Sequence, residues 1–201
     1  FTVGTDQVNL PAARSAGVPV FNAPHSSTRS VAELSVCCMI MLARKLGERN
    51  SKLHQGLWEK SAEGSHEIRG KTLGIVGYGH IGQQVGLLAE QLGLDVIFYD
   101  VLKKLPLGRA KPVDTMAELL KKADFVSFHV PGGKENENIV TEKELSMMKE
   151  GAYLINHSRG KVVDIPALKA ALDEGKIAGA ALDVFPKEPT SADETFESEL
   201  K

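Results

Sequence analysis

Cysteine is scarce in this chain of 201 residues: the only two, Cys37 and Cys38, are adjacent and lie in an apolar run. Neighbours on a helix point about 100° apart, since a turn takes about 3.6 residues, so these two are poor partners for each other. Two buried free thiols are expected, which fits a reducing cytoplasm. Long hydrophobic runs are also missing. The most apolar stretch, Val36 to Ala43, is far short of the ~20 residues that span a bilayer, and no membrane partner is expected. A surplus of positive charge is absent. The formal net charge of −2 argues against general nucleic-acid binding, which needs a basic face. No G-x-x-x-x-G-K-[ST] run occurs, which excludes a P-loop. His25, His54 and His66 show no metal-ligand spacing and are taken as surface residues, so no metal is expected. Internal repeats and low-complexity segments are lacking as well. The chain has no initiator Met and opens no signal peptide at Phe1, so a piece of a longer protein is expected.

A hydrophobic share of 42% at this length supports one domain, or one domain with a remnant of another, and a substantial core. Val18 to Asn22 reads as a short strand before the turn residues Asn22-Ala-Pro24. Ser30 and Glu33 have capping-box spacing, and the helix after them is apolar on nearly every side through Leu42, so burial is expected. Residues 52 to 70 show no clear period and read as an irregular arm around Trp58.

From Lys71 onward strands and helices alternate. Strands are expected over Thr72–Val76, Leu94–Tyr99, Phe125–Val130, Ala152–Asn156 and Ala178–Leu182. Ile81, Val85, Leu88 and Leu92 mark one helical face, which Gly93 ends. Thr115 with Glu118 and Thr141 with Glu144 have capping-box spacing; Asp164 precedes a helix with Pro166 in its first turn. This alternation implies an α/β fold: a doubly wound parallel sheet covered on both faces.

Gly77-Tyr-Gly-His-Ile-Gly82 is G-x-G-x-x-G, placed after a strand and at the start of a helix. The first glycine permits the tight turn. The second lets backbone approach a pyrophosphate, and the third lets helix pack on strand. The helix N-terminus offers free N–H groups and partial positive charge to the phosphates. Asp100 ends the next strand, where an acid accepts hydrogen bonds from ribose hydroxyls and repels a 2′-phosphate, favouring NAD over NADP. The plainer alternative is a chance glycine cluster, which the register of strand, helix, second strand and acid argues against.

Two further segments end strands on the same edge of the sheet: Asn156-His-Ser-Arg-Gly160 and Gly179 to Pro189, with Asp183 and Glu188. Ligands in open α/β sheets sit at that edge, and an Arg there can grip a carboxylate with two bonds. Plainer alternatives stand beside each residue. Arg159 reads equally as a surface arginine, Glu188 as a solvated loop carboxylate, Asp183 as a turn cap, and His129 as a satisfied strand-end residue rather than an acid.

Together these motifs resemble the D-isomer-specific 2-hydroxyacid dehydrogenases over almost the whole chain. Gly4-Thr-Asp-Gln-Val8, Phe21-Asn-Ala-Pro24, Thr28 to Glu33 and Lys104-Leu-Pro-Leu-Gly108 resemble the bacterial and fungal branch that acts on 3-phospho-D-glycerate. The resemblance implies a Rossmann NAD-binding domain over 27–201, preceded at 1–26 by the end of a substrate-binding domain and the crossover. It implies NAD as cofactor and NAD-dependent oxidation of the hydroxyacid. Related 2-keto acid reduction, on hydroxypyruvate or glyoxylate, and NAD sensing by a dehydrogenase-like corepressor remain alternatives. Arg159 would bind the substrate, and Glu188 would orient a catalytic His that lies past Lys201. Gly77, Gly79, His80, Ile81, Gly82, Asp100, His157, Ser158, Arg159 and Asp183 would line the cofactor. A homodimer is implied, through the 30–42 helix and the 52–70 arm. Position 157 departs from the family, which usually carries Ala there, and position 27 is Ser where this branch tends to have Asn.

Overall fold

The computed structural model describes residues 4–5, 8–189, 191 and 193–200. Asp6 and Gln7, in the first of the branch-like stretches, lie outside the described residues, as do Phe1 and Lys201. Six parallel strands form one sheet: β1 (Thr72–Val76), β2 (Asp95–Tyr99), β3 (Lys111–Pro112), β4 (Phe125–Phe128), β5 (Ala152–Asn156) and β6 (Ile177–Leu182). Their order is β3-β2-β1-β4-β5-β6, so the chain reverses direction across the sheet between β1 and β4. Such an order joins two mononucleotide-binding halves at a switch point.

Seven helices accompany the strands among the described residues: α1 (Leu10–Ser15), α2 (Thr28–Arg44), α3 (Leu46–His54), α4 (His80–Gln91), α5 (Met116–Lys122), α6 (Glu142–Met147) and α7 (Ile165–Asp173). Side chains alternate across the pleat and build two cores. Leu73, Ile75, Val96, Phe98, Phe125 and Ile155 face α2 and α4, whereas Val76, Val126, Phe128 and Leu154 face α5, α6 and α7. Both faces are therefore covered, as the alternating pattern required. None of these helices is long and apolar enough to cross a membrane.

Caps fix the helix starts. Thr115 accepts from the Glu118 N–H, Thr141 and Glu144 form a full capping box, and Asp164 accepts from the Ala167 N–H. The Ser30–Glu33 expectation fails: α2 already begins at Thr28, Ser30 sits within its first turn, and Glu33 pairs instead with Arg29 at 2.6 Å. Nor is α2 buried all round. Ala32, Ser35, Val36, Met39 and Ala43 pack inward, while Leu34, Cys37 and Met41 stand exposed. The two thiols are accordingly not buried: Cys37 is exposed and Cys38 half-buried. Residues 18–22 form no strand, and Phe21 is exposed. Helices α1 and α3 bury no residue, which is why no apolar period betrays them.

Helix α4 turns a different face to the sheet from the one its large apolar residues suggest. Gly82, Val85, Gly86 and Ala89 are buried, whereas Leu92 is exposed. A Cβ at Gly86 would stand 3.4 Å from Ile75 and 3.5 Å from Val96, so α4 lies close enough to the strands to need small residues.

Strand β4 runs into His129. Its Nε2 pairs with Ser127 Oγ at 2.8 Å, and its Nδ1 is buried without a hydrogen-bond partner. Burial, and then the neighbouring His157, push its pKa from 6.5 down to about 3. Folded, the ring stays neutral. Unfolded, it takes a proton as pH falls through 6.5. Its contribution is whole above that pH and drains away between there and about 3. Replacing it by a group that cannot titrate, in His129→Gln, should flatten the acid-side loss of stability by up to one proton's worth, roughly 1.4 kcal/mol per pH unit. Urea unfolding of both proteins at a series of pH values checks this; parallel pH profiles would show that the folded ring is protonated freely.

Candidate functional site

The three glycines of the 77–82 turn meet three different steric demands. Gly77 has φ 92°, and a Cβ on it would lie 2.5 Å from the carbonyl oxygen of His129, so the turn folds directly against the end of β4. Gly82 would drive a Cβ into the Gly77 carbonyl oxygen, which shows how tightly α4 returns onto the turn. Gly79 is the opposite case: a Cβ there would meet nothing of the chain within 4 Å. The backbone at Gly79 thus opens onto clear space where α4 begins. The first-turn N–H groups of His80, Ile81 and Gly82 have no intrahelical acceptors and concentrate the positive end of the helix dipole there. This cradle fits a dinucleotide pyrophosphate.

Asp100 follows β2 directly and is half-buried. Its Oδ2 accepts from the Tyr78 N–H at 2.8 Å and its Oδ1 from the Leu102 N–H at 2.9 Å. Each carboxylate oxygen keeps a further acceptor position, so Asp100 can serve ribose hydroxyls while it braces the glycine turn. That bracing role was not legible in the sequence.

Tyr78 was missed too. It is fully buried and stacks on Phe98 at 3.7 Å between ring centroids. Its hydroxyl accepts from the Leu107 N–H at 3.3 Å and faces the Leu107 carbonyl oxygen at 3.5 Å. The Lys104–Gly108 stretch is thereby tied to the glycine turn. Glu90 anchors the same loop, accepting from the Arg109 N–H at 2.8 Å beside Gly108, which has φ 63°.

At the β5 end, Asn156 organises the loop. Its Nδ2 donates to the Arg159 carbonyl oxygen at 2.9 Å, and its Oδ1 accepts from the Ser158 N–H and hydroxyl at 3.1 and 2.7 Å. Sequence reasoning gave Asn156 no role, although an Asn closing a buried strand is a signal of such a turn. His157 and Ser158 are buried. His157 Nδ1 pairs with Ser35 Oγ of α2 at 3.0 Å, and burial pushes its pKa down, partly offset by the Asp183 carboxylate.

Arg159 is half-buried, donates from Nη1 to the Ser158 carbonyl oxygen at 2.8 Å, and lines a cavity of 260 Å³ with Pro131, Gly133, Asn136 and Phe185. That placement is not the freely solvated one of a surface arginine. The β6 segment comes to the same place. Asp183 donates its N–H to the Asn156 carbonyl oxygen at 3.2 Å, and a Cβ on Gly160 would strike the backbone of Phe185 and Pro186. Glu188 is exposed, and its Oε1 accepts from the Phe185 N–H at 2.8 Å. His80 is exposed at the start of α4, its ring edge-on to that of His25 at 4.4 Å. The expected residues therefore fall at the carboxyl ends of β1, β2, β5 and β6, on both sides of the switch point.

Over residues 36–200 the chain matches the family described as D-isomer specific 2-hydroxyacid dehydrogenase, NAD binding domain. It is 54% identical over 201 residues to D-3-phosphoglycerate dehydrogenase of Haemophilus influenzae, covering all of this chain and 49% of that protein. The protein of the same name from Escherichia coli K12 is 54% identical over 200 residues, again with 49% of its length covered. The chain thus spans about half the length of the curated relatives it matches. Among solved structures, D-lactate dehydrogenase with NAD+ from Lactobacillus jensenii superposes with a TM-score of 0.85 at 34% identity, over 98% of this chain and 60% of that one. On this evidence the chain belongs to the D-isomer-specific 2-hydroxyacid dehydrogenase family, of which it is the NAD-binding domain.

Proposed function

We propose that the full-length protein carrying this chain oxidises 3-phospho-D-glycerate to 3-phosphooxypyruvate with NAD, the opening step of serine biosynthesis. The observation that carries this is the 54% identity to relatives named D-3-phosphoglycerate dehydrogenase across this entire chain. Residues 27–201 serve as the cofactor domain and 1–26 as the edge of the substrate domain with its crossover. When bound, NAD supplies the hydride acceptor. Gly77, Gly79 and Gly82 with the N–H groups of His80 and Ile81 hold its pyrophosphate, and Asp100 holds the adenosine ribose. His157, Ser158 and Asp183 line the other half. Arg159 grips the substrate carboxylate with its planar fork. Glu188 orients the histidine that takes the hydroxyl proton and raises that histidine's pKa. The thiols Cys37 and Cys38, unpaired and near the surface, suit a reducing cytoplasm. Assay of the full-length protein should show NADH formed from 3-phospho-D-glycerate and NAD. Reduction of hydroxypyruvate or glyoxylate with no phosphoglycerate oxidation would overturn this substrate.

Three expectations follow from these roles. Asp100 beside the adenosine ribose should make NAD bind more tightly than NADP, and Asp100→Ala should narrow the gap; calorimetric titration of both cofactors measures it, and equal affinities in the unmutated protein would sink the assignment.

Arg159→Lys keeps a charge but loses the two-pronged grip. A fall in kcat/KM on the order of 100-fold is expected, equivalent to roughly 3 kcal/mol of transition-state stabilisation. Near-normal kinetics would return Arg159 to the status of a structural residue.

The exposed Leu34, Cys37 and Met41 of α2, together with Leu53, Leu57 and the 77%-exposed Trp58, support a homodimer formed across this face. A symmetric pairing buries the same patch on both copies. Sedimentation at micromolar concentration should give a dimer, and Trp58→Arg should weaken it; a clean monomer for the unmutated full-length protein would exclude this partner.

A further inference from the structure

His157 stands where the family usually has Ala, and its ring is held by a specific partner. Ser35 Oγ lies 2.8 Å from the Val31 carbonyl oxygen, one turn back on α2, and 3.0 Å from His157 Nδ1. A hydroxyl has a single hydrogen. A carbonyl oxygen can only accept, so that hydrogen goes to Val31. Ser35 Oγ must then accept from the ring, and Nδ1 carries the ring's proton.

The other nitrogen follows from this. A neutral imidazole protonated at Nδ1 has a bare lone pair at Nε2. Burial keeps the ring neutral near neutral pH, against the smaller opposite pull of Asp183. No hydrogen bond engages Nε2 among the described residues, and Nε2 is not among their sealed, unpartnered polar atoms. The Asp183 carboxylate is close enough to act on the ring, yet no hydrogen bond joins the two. Two acceptors therefore stand near each other with no donor of the chain between them.

Their place in the sheet says what the donor is. A dinucleotide crosses the switch point, one half on each side. Asp100 marks the β2 side as the adenosine half, so the nicotinamide half lies over the ends of β4, β5 and β6, where His157 and Asp183 sit. The nicotinamide carboxamide carries an NH₂ group, with two hydrogens for two acceptors.

We propose that Ser35 fixes His157 as the Nδ1–H tautomer, so that its bare Nε2, beside Asp183, accepts a hydrogen bond from the carboxamide NH₂ of the bound nicotinamide. This rests on the NAD-binding role of the domain. His157 touches the cofactor and sets specificity for the amide; Ser35 is a positioning residue that acts through it.

Two measurements on the full-length protein test the pair. The first uses ¹⁵N-histidine NMR without cofactor. His157 should show a protonated Nδ1 and bare Nε2. Ser35→Ala should move the proton to Nε2, and Ser35→Thr, which keeps a hydroxyl, should leave it in place. A protonated Nε2 in the unmutated protein would overturn the proposal.

The second is calorimetry with NAD, its 3-acetylpyridine analogue and ADP-ribose. The analogue keeps the carbonyl but has no NH₂. The unmutated protein should prefer NAD, and His157→Ala and Ser35→Ala should each reduce that preference by about fivefold to tenfold, the worth of one neutral hydrogen bond. ADP-ribose affinity should stay unchanged in all three proteins. If NAD binds and the preference is the same in every variant, the His157 contact is wrong while the domain's role stands. If the unmutated protein binds neither NAD nor ADP-ribose, the underlying role fails and this contact fails with it.

Discussion

The site depends on one close approach, the return of helix α4 onto the turn that precedes it. Gly82 leaves no room for a side chain against the Gly77 carbonyl, and Gly77 leaves none against His129. Because those contacts are backbone to backbone, the positive end of α4 is held at the carboxyl end of β1 beside the switch point. An N-terminus a few ångströms further out would still carry its dipole, but its N–H groups would not converge on one point. The small residues along the buried face of α4 continue the same constraint down the helix.

A second layer of order fixes what surrounds that point. Asp100 ties the glycine turn to the loop after β2, and Tyr78 ties it to Leu107. Asn156 shapes the loop after β5, which in turn receives the Asp183 N–H. Hydrogen bonds of this kind contribute modestly one by one, about 1 kcal/mol each, yet leaving any of these buried groups without a partner costs more. The loops at this edge are therefore specified by polar matching, while the strands beneath them are specified by burial.

That division explains what could be read in advance. Strands β1, β4 and β5 are buried on both faces and so appear as unbroken apolar runs. The glycine turn and the caps at Thr141 and Asp164 are local patterns, complete within a few residues. The opening of α2 was misread because Ser30 and Glu33 have capping spacing but lie within a helix that starts at Thr28. Helices α1 and α3 bury nothing, so their sequences carry no period. Within the site, the positions of Asp100, Arg159 and Asp183 at strand ends were legible. The Ser35–His157 pair was not, because its members are 122 residues apart and neither is unusual locally. The partners of Tyr78 and Glu90 were hidden for the same reason.

Gly160 has a consequence for exchanging parts between relatives. The backbone of Phe185 and Pro186 lies where its side chain would be, so the loop after β5 and the segment after β6 are seated in each other like a mortise and tenon. Neither can be transplanted alone. A chimaera that takes 156–160 from one protein and 183–189 from another would join two halves cut to different gauges, and the misfit would appear as a displaced Arg159 even though every side chain at the site had been retained. The two segments form a single heritable module, and new substrate preferences on this scaffold are most readily carried by replacing them together.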